Sequence, residues 1–283
     1  MTARVLDGRA VAREIYTEVA RAVEDRVASG KPRPRLATIL VGDDPASATY
    51  VELKQRNARS VGIESNDHRL PASTTTEQLL ALVRRLNDDV DVSGILVQQP
   101  TPRQIDMRPV IFALDPVKDV DGFHPVNAGL VALGLAGAME PATPAGIVVL
   151  LERSGIAIEG ANAVVVGRSN LVGKPAALLL LKRNATVTLC HTRTRDLASH
   201  TRTADILVAA AGRAGLIRKD MVKPGAAVVD VSTNWEGGRQ VGDLGPGVDE
   251  VAGWLTPNPG GVGPMTRAML IKNTLDAEVR RRP

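Results

Sequence analysis

Residues 163–194 read AVVVGRSNLVGKPAALLLLKRNATVTLCHTRT. A β-branched run, Val164-Val165-Val166, breaks into Gly167-Arg168-Ser169, and a second glycine, Gly173, precedes Lys174-Pro175 and a leucine-rich stretch. From Thr186 to Leu189 the chain is β-forming again. Strand, glycine turn, helix and strand make a βαβ unit, which seats a phosphate at the helix N-terminus. Free backbone N–H groups and the helix dipole both favour an anion there. The glycines depart from the usual G-x-G-x-x-G, since the five residues between Gly167 and Gly173 include no glycine. Taken alone, the stretch fits a dinucleotide site or an ordinary tight turn in a parallel α/β domain.

The rest of the composition agrees with a parallel sheet. At 283 residues the chain suits two domains. Aromatic residues make up only 2%, so the core must come from Val, Leu, Ile and Ala, which favours a helix-covered parallel sheet over an aromatic-rich sandwich. The net charge of +4 comes from 35 basic and 31 acidic residues, scattered except for Arg280-Arg281-Arg282. With no basic stripe and few aromatics, an anionic small molecule explains the charge more economically than nucleic acid does. A single cysteine, Cys190, excludes a disulfide framework, and the four histidines lack ligand spacing, so no metal is expected. There is no targeting segment or long apolar run, so no membrane association is expected and the cytoplasm is the expected location.

Upstream of the opening stretch, residues 3–29 read as a short strand and a helix capped by Asp7. Leu36–Val41 is a buried strand. Asp44-Pro45, a capping side chain followed by proline, starts a helix that Gly62 ends. Tyr50 and Lys54 lie four apart and share a face of it, either as a surface pair or as one wall of a site. A helix over 76–87 leads to the strand Gly94–Val97 and then to Gln98, a pocket candidate because ligands of α/β sheets sit beyond the carboxyl ends of strands. Residues 115–125 carry Asp115, Asp119, Asp121 and Lys118 without the calcium-loop order. They read as a grip on a donor-rich ligand edge or as a solvated turn.

Downstream, Thr143-Pro144 starts a helix, and 204–211 and 226–231 are further buried strands. Four strands starting near 164, 186, 206 and 227 alternate with helical segments, which gives half a Rossmann sheet or slightly more. Six of the eleven residues 256–266 are Gly or Pro, a composition that lets backbone approach a ligand closely before a last helix from Arg267.

Five ordered blocks carry a resemblance over almost the whole chain: SATYVELK at 47–54, GILVQQP at 94–100, KDVDGFHP at 118–125, GRSNLVGKP at 167–175 and PNPGGVGPMT at 257–266. In these the chain resembles the bifunctional methylenetetrahydrofolate dehydrogenase/methenyltetrahydrofolate cyclohydrolase family, whose own variant of the dinucleotide turn has the same glycine spacing. The resemblance implies an α/β protein of two domains with the active-site cleft between them. One is a three-layer α/β catalytic domain that binds folate (1–142, with the helix 265–283 packing back on it); the other is a Rossmann-type NADP-binding domain (143–264). It implies hydride transfer from 5,10-methylenetetrahydrofolate to the cofactor, hydrolysis of the methenyl product to 10-formyltetrahydrofolate, and a homodimer.

Residue by residue, the resemblance makes Lys54 the catalytic lysine. It makes Tyr50 a stacking wall for the folate, Gln98 the hydrogen-bond partner of Lys54, and Asp121 the pterin ligand. Pro259, Gly260 and Gly263 join the substrate side. Gly167, Arg168, Ser169, Thr192, Arg193 and Thr233 fall on the cofactor. A carboxylate suits the adjacent N–H donors of an amino-pyrimidine, and a lysine that exchanges protons near neutral pH needs a lowered pKa.

The second strand ends Cys190-His191-Thr192-Arg193 with no acid for ribose hydroxyls, while Arg168 and Arg193 offer charge to a 2′-phosphate, so NADP is expected over NAD. Three blocks depart from the family pattern: Asp230-Val231-Ser232-Thr233-Asn234 for D-V-G-I-N, Pro141-Ala142-Thr143-Pro144 for P-C-T-P, and Thr256-Pro257-Asn258-Pro259 for T-P-V-P. An NADP oxidoreductase resembling shikimate dehydrogenase, or a non-catalytic nucleotide-binding regulator, are the competing readings.

Overall fold

The computed structural model describes residues 3–283. In chain order the elements are β1 (Arg4–Val5), α1 (Gly8–Ala28), β2 (Arg35–Val41), α2 (Pro45–Ser60), β3 (Glu64–Leu70), α3 (Thr76–Asp88), β4 (Gly94–Val97), α4 (Met107–Ala113) and α5 (Pro125–Ala132). They continue with α6 (Ala142–Arg153), β5 (Asn162–Val166), α7 (Gly173–Lys182), β6 (Thr186–Cys190), α8 (Leu197–Thr201), β7 (Ile206–Ala209), β8 (Ala227–Asp230), β9 (Asn234–Glu236), β10 (Arg239–Val241), β11 (Trp254–Leu255) and α9 (Val262–Arg281). The chain is a two-domain α/β protein, and its contacts divide it into two compact units. One holds Arg13–Leu130, Leu135–Ala142 and Arg267–Pro283; the other holds 3–12, Val131–Gly134 and Thr143–Thr266.

The first unit is built on a parallel sheet ordered β3-β2-β4. Ala37, Ile39 and Val41 of β2 and Ile95 and Val97 of β4 pack against Leu79, Leu82, Val83 and Leu86 of α3. α3 starts on a capping box in which the Thr75 hydroxyl accepts from Gln78 N and the Gln78 side chain accepts from Thr75 N. β3, ESNDHRL, is the strand that apolar patterning misses. It pairs with β2 alone, at the sheet edge, and backbone pairing rather than a buried face makes it a strand. Within this unit α9 is pinned to α1 by Glu278, whose fully buried carboxylate meets Arg26 at 3.0 Å and accepts from Ser93 Oγ at 2.8 Å.

The second unit is a six-stranded parallel sheet in the order β1-β11-β8-β7-β5-β6. The four expected strands are its β5 to β8. Two-residue strands widen it at one edge: β1, the short strand expected ahead of α1, and β11, which is too short to show a pattern. The chain goes from β5 to β6 on one side and then crosses to β7 on the other, so the sheet's topological switch lies at β5. A β9–β10 hairpin, also unforeseen, turns on Gly237 and Gly238, both at positive φ. α9 begins at Val262, inside the Gly/Pro-rich stretch, because Pro264 falls in the first turn, where it removes no helical hydrogen bond. No described helix is long and apolar enough to cross a membrane.

Candidate active site

Asp44 caps α2 by accepting from Ser47 N at 2.8 Å, with Pro45 at the first position. Val51, Lys54, Gln55 and Ala58 then face inward. Gln55 locks the helix to the sheet, its Nε2 donating to Thr38 Oγ1 at 2.7 Å. One turn of register therefore decides that Lys54, 9% exposed, is carried over the end of β4.

Gln98 lies just past that end, and its backbone N donates to Ile39 O at 2.9 Å. Its side-chain amide donates to Gln99 O at 2.5 Å, which leaves Oε1 to accept from Lys54 Nζ at 3.0 Å. Since the amide nitrogen is already engaged, an acceptor faces the amine.

Asp121 arrives on a loop tied down at both ends. Lys118, fully buried, donates to the carbonyls of Leu86, Asn87 and Asp89 and so caps the C-terminus of α3. Burial draws its pKa down to about 8. The Lys118 carbonyl accepts from Ile95 N at 2.7 Å, and Val120 O accepts from Asn273 Nδ2 of α9 at 2.9 Å. Gly122 follows at φ +73°, where a Cβ would press on Met139 O and Pro141 N. Asp121 shares a recess with Val97, Met107, Ile111 and Phe123.

Burial pushes the half-buried Asp121 carboxyl up to about 6. Nearby Lys54 opposes that rise and Asp119 adds to it. Lys54 moves in the opposite sense. Burial lowers it first, Asp121 resists, and Arg267 lowers it further.

Asn57, three residues on from Lys54, donates to Tyr16 Oη at 2.6 Å. The Arg267 guanidinium approaches the same hydroxyl, opposing the rise that burial imposes on the phenol. Tyr50, one turn before Lys54, is 42% exposed, with its ring free to meet a ligand.

In the six-stranded unit the ends of β6, β5 and β7 converge on Gly167. Its N donates to Cys190 O at 2.9 Å, and Ala210 N donates to Val166 O at 2.8 Å. A Cβ on Gly167, at φ +126°, would overlap the Ala210 carbonyl, and one on Gly173 would overlap the Gly167 carbonyl. The six-residue step between the two glycines thus does what the usual fingerprint does: one glycine lets strand ends meet, the other lets helix meet strand. Ser169 Oγ accepts from Val172 N and Gly173 N at 3.1 and 3.3 Å at the start of α7. Beside this cradle, His191–Thr194 forms a turn in which Thr194 Oγ1 accepts from His191 N, leaving Thr192 and Arg193 exposed, as Arg168 is.

Thr233 is exposed in the loop after β8, and Pro259, Gly260 and Gly263 follow β11. Those two loops are joined. Asn258 Nδ2 donates to Ser232 O at 2.8 Å and Asn258 Oδ1 accepts from Gln240 Nε2 at 2.6 Å. Ser232 Oγ in turn donates to Asp243 at 2.7 Å and accepts from Gly212 N at 3.0 Å. The buried Asp243 also accepts from the backbone N of Ala211 and Arg213.

With that geometry in view, two family models cover nearly the whole chain: the tetrahydrofolate dehydrogenase/cyclohydrolase catalytic domain over 6–121 and the corresponding NAD(P)-binding domain over 141–282. The chain belongs to the tetrahydrofolate dehydrogenase/cyclohydrolase family. Bifunctional protein FolD 1 of Rubrobacter xylanophilus is 55% identical over 279 residues, covering 97% of each chain. Among solved structures, the bifunctional FolD of Campylobacter jejuni is 44% identical with a TM-score of 0.96 over 99% of each chain. The Trypanosoma brucei dehydrogenase-cyclohydrolase, solved with NADP and an inhibitor, is 39% identical with a TM-score of 0.93 over the full length of both. The shikimate-type and regulator readings find no support in these matches.

The first unit thus carries Tyr50, Lys54, Gln98 and Asp121, and the second has Gly167, Arg168, Ser169, Thr192 and Arg193 after the neighbouring strands β5 and β6, with Thr233 on the loop after β8. Patterning missed Tyr16, Asn57, Asn273 and Arg267, and it singled out Lys118 without its capping role. The polar positions of α9 were a usable signal: Asn273 and Glu278 are buried among the apolar residues of its inner face, and Arg267 is partly buried beside them.

Proposed function

We propose that this member of the tetrahydrofolate dehydrogenase/cyclohydrolase family performs both reactions of its name in sequence. It oxidises 5,10-methylenetetrahydrofolate to the 5,10-methenyl cation with NADP and hydrolyses that cation to 10-formyltetrahydrofolate. The observation that carries this reading is a buried amine, Lys54, bonded to the Gln98 acceptor and set near a desolvated Asp121.

The residues at the switch point fit a dinucleotide, since every Cβ that would fill the cradle is missing at Gly167 and Gly173. Gly167, Arg168, Ser169, Thr192, Arg193 and Thr233 would hold it, the two arginines favouring the additional phosphate of NADP. When bound, the nicotinamide supplies the hydride acceptor. Asp121 accepts the paired N–H donors of the pterin edge, a contact that favours its ionised form against the burial that raises its pKa. Tyr50 stacks on the folate, and Pro259, Gly260 and Gly263 are assigned to the substrate as well. Lys54, held as free amine and oriented by Gln98, takes a proton from water as the water oxygen bonds to the methenyl carbon. The hydroxyl of that adduct then gives up its proton as the N5–carbon bond breaks, N5 takes up a proton, and the formyl group is left on N10.

We assign folate to 1–142 with the helix 265–283 and NADP to 143–264, and we propose a homodimer. A cytoplasmic setting is supported by the single thiol, Cys190, which is buried. The test is a paired assay on one preparation, following NADPH formation and methenyl hydrolysis. Both activities are expected, with NADP preferred over NAD; absence of either contradicts the reading.

A further inference from the structure

Asp243, two residues past β10, is fully buried and accepts hydrogen bonds on both carboxylate oxygens. Oδ2 accepts from Ala211 N at 2.6 Å, Gly212 N at 3.1 Å and Ser232 Oγ at 2.7 Å. Oδ1 accepts from Arg213 N at 2.7 Å and Asn234 Nδ2 at 3.2 Å. The donors thus belong to two loops. Ala211, Gly212 and Arg213 are consecutive residues after β7, while Ser232 and Asn234 flank Thr233 after β8. The backbone of Asp243 is itself fixed, its N donating to Asp230 Oδ1 and its carbonyl accepting from Ile217 N, each at 3.0 Å. Gly242 passes so close to Asp230 that a Cβ there would overlap Oδ2. An anchored carboxylate therefore sets both loops, and bonds to a charged acceptor are about twice as strong as neutral ones.

The order β8-β7-β5-β6 says which part of a dinucleotide those loops serve. Arg193, after β6, is assigned to the 2′-phosphate, and the glycine turn after β5 to the phosphates, which puts the adenosine half on the β6 side of the switch. The other half then lies over the ends of β7 and β8. We propose that Asp243 is a positioning residue for the nicotinamide half of the cofactor: its carboxylate holds the loops after β7 and β8 in one arrangement. This rests on the reading of the switch point as the NADP site. Asparagine in its place keeps one acceptor oxygen and turns an NH2 group against N–H donors, so the two loops come apart where the adenosine end does not.

The test compares wild type with Asp243→Asn and Ser232→Ala, each first checked for a cooperative thermal transition. Ser232→Ala deletes one donor, keeps the carboxylate, and carries the test by itself should Asp243→Asn fail to fold. Binding of NADP and of adenosine 2′,5′-bisphosphate, which lacks the nicotinamide half, is titrated by calorimetry. Amide hydrogen exchange over 210–214 is followed in the ligand-free protein by mass spectrometry. In Asp243→Asn the Kd for NADP should rise about tenfold or more, that for the bisphosphate should stay within about twofold, and exchange over 210–214 should accelerate. Ser232→Ala should change each in the same direction by less. Wild-type NADP affinity in folded Asp243→Asn, or an equal loss of both ligands, overturns the role of Asp243 and leaves the cofactor site standing. Wild type that binds neither ligand overturns the NADP reading and the role with it.

Discussion

Gln98 Oε1 accepts from Lys54 Nζ at 3.0 Å while the other end of the same amide donates to Gln99 O. The second bond chooses which end of the amide the lysine meets, and an oxygen without charge can orient the amine without holding its proton. Gln98→Glu replaces that oxygen with a carboxylate and removes the donor to Gln99. The ammonium is then favoured, and hydrolysis at pH 7 should fall by about a hundredfold. A rate within threefold of wild type would show that the charge of this group is immaterial.

Asp121 ties function to stability. Its folded pKa of about 6 stands above the ordinary carboxyl value of 3.8, so the folded state binds the proton more tightly than the unfolded chain does. The stability of the protonated form is fully present below the lower value and is lost as pH rises through about 6. Asp121→Asn should therefore be more stable than wild type by about 3 kcal/mol at pH 8 and equal to it near pH 3, while folate binding is lost. Thermal unfolding at the two pH values measures this, and a destabilised variant at pH 8 would contradict it.

The glycine cradle leaves no room for substitution. Gly167→Ala and Gly173→Ala each place a methyl on a backbone carbonyl, and Gly167 has a left-handed φ as well. Each should cost about 2–4 kcal/mol of stability and abolish detectable NADP binding by fluorescence titration. Wild-type NADP affinity in either variant would remove the cradle from the cofactor site.

Much of this was legible from the sequence, and the limits have physical causes. The apolar runs became β2, β4, β5, β7 and β8 because parallel strands buried on both faces announce themselves as continuous Val, Ile and Leu. β3 is polar and sits at an edge, β11 has two residues, and neither has a period to read. Lys54, Gln98 and Asp121 were placed by motif. What positions them, Thr38 under Gln55 and Asn273 on Val120 O, consists of contacts between residues far apart in the chain. No local window contains both partners.

The two departures at Ser232 and Asn258 looked independent in sequence and are one network in the fold. Ser232→Gly removes the hydroxyl between Gly212 N and Asp243 and should cost about 1–2 kcal/mol, with NADP affinity reduced several-fold. Asn258→Val cuts the bond to Ser232 O. A double-mutant cycle should return a coupling of at least about 0.5 kcal/mol, and strict additivity would show the two loops to be independent.

Lys54→Met tests the central claim most directly. The variant keeps the unbranched stem of the side chain as far as Cε and removes the amine that Gln98 holds. With NADPH formation and methenyl hydrolysis followed on the same folded preparation, hydrolysis should be abolished while the protein unfolds as cooperatively as wild type. Full hydrolytic turnover by folded Lys54→Met would contradict the assignment of the chemistry to this lysine.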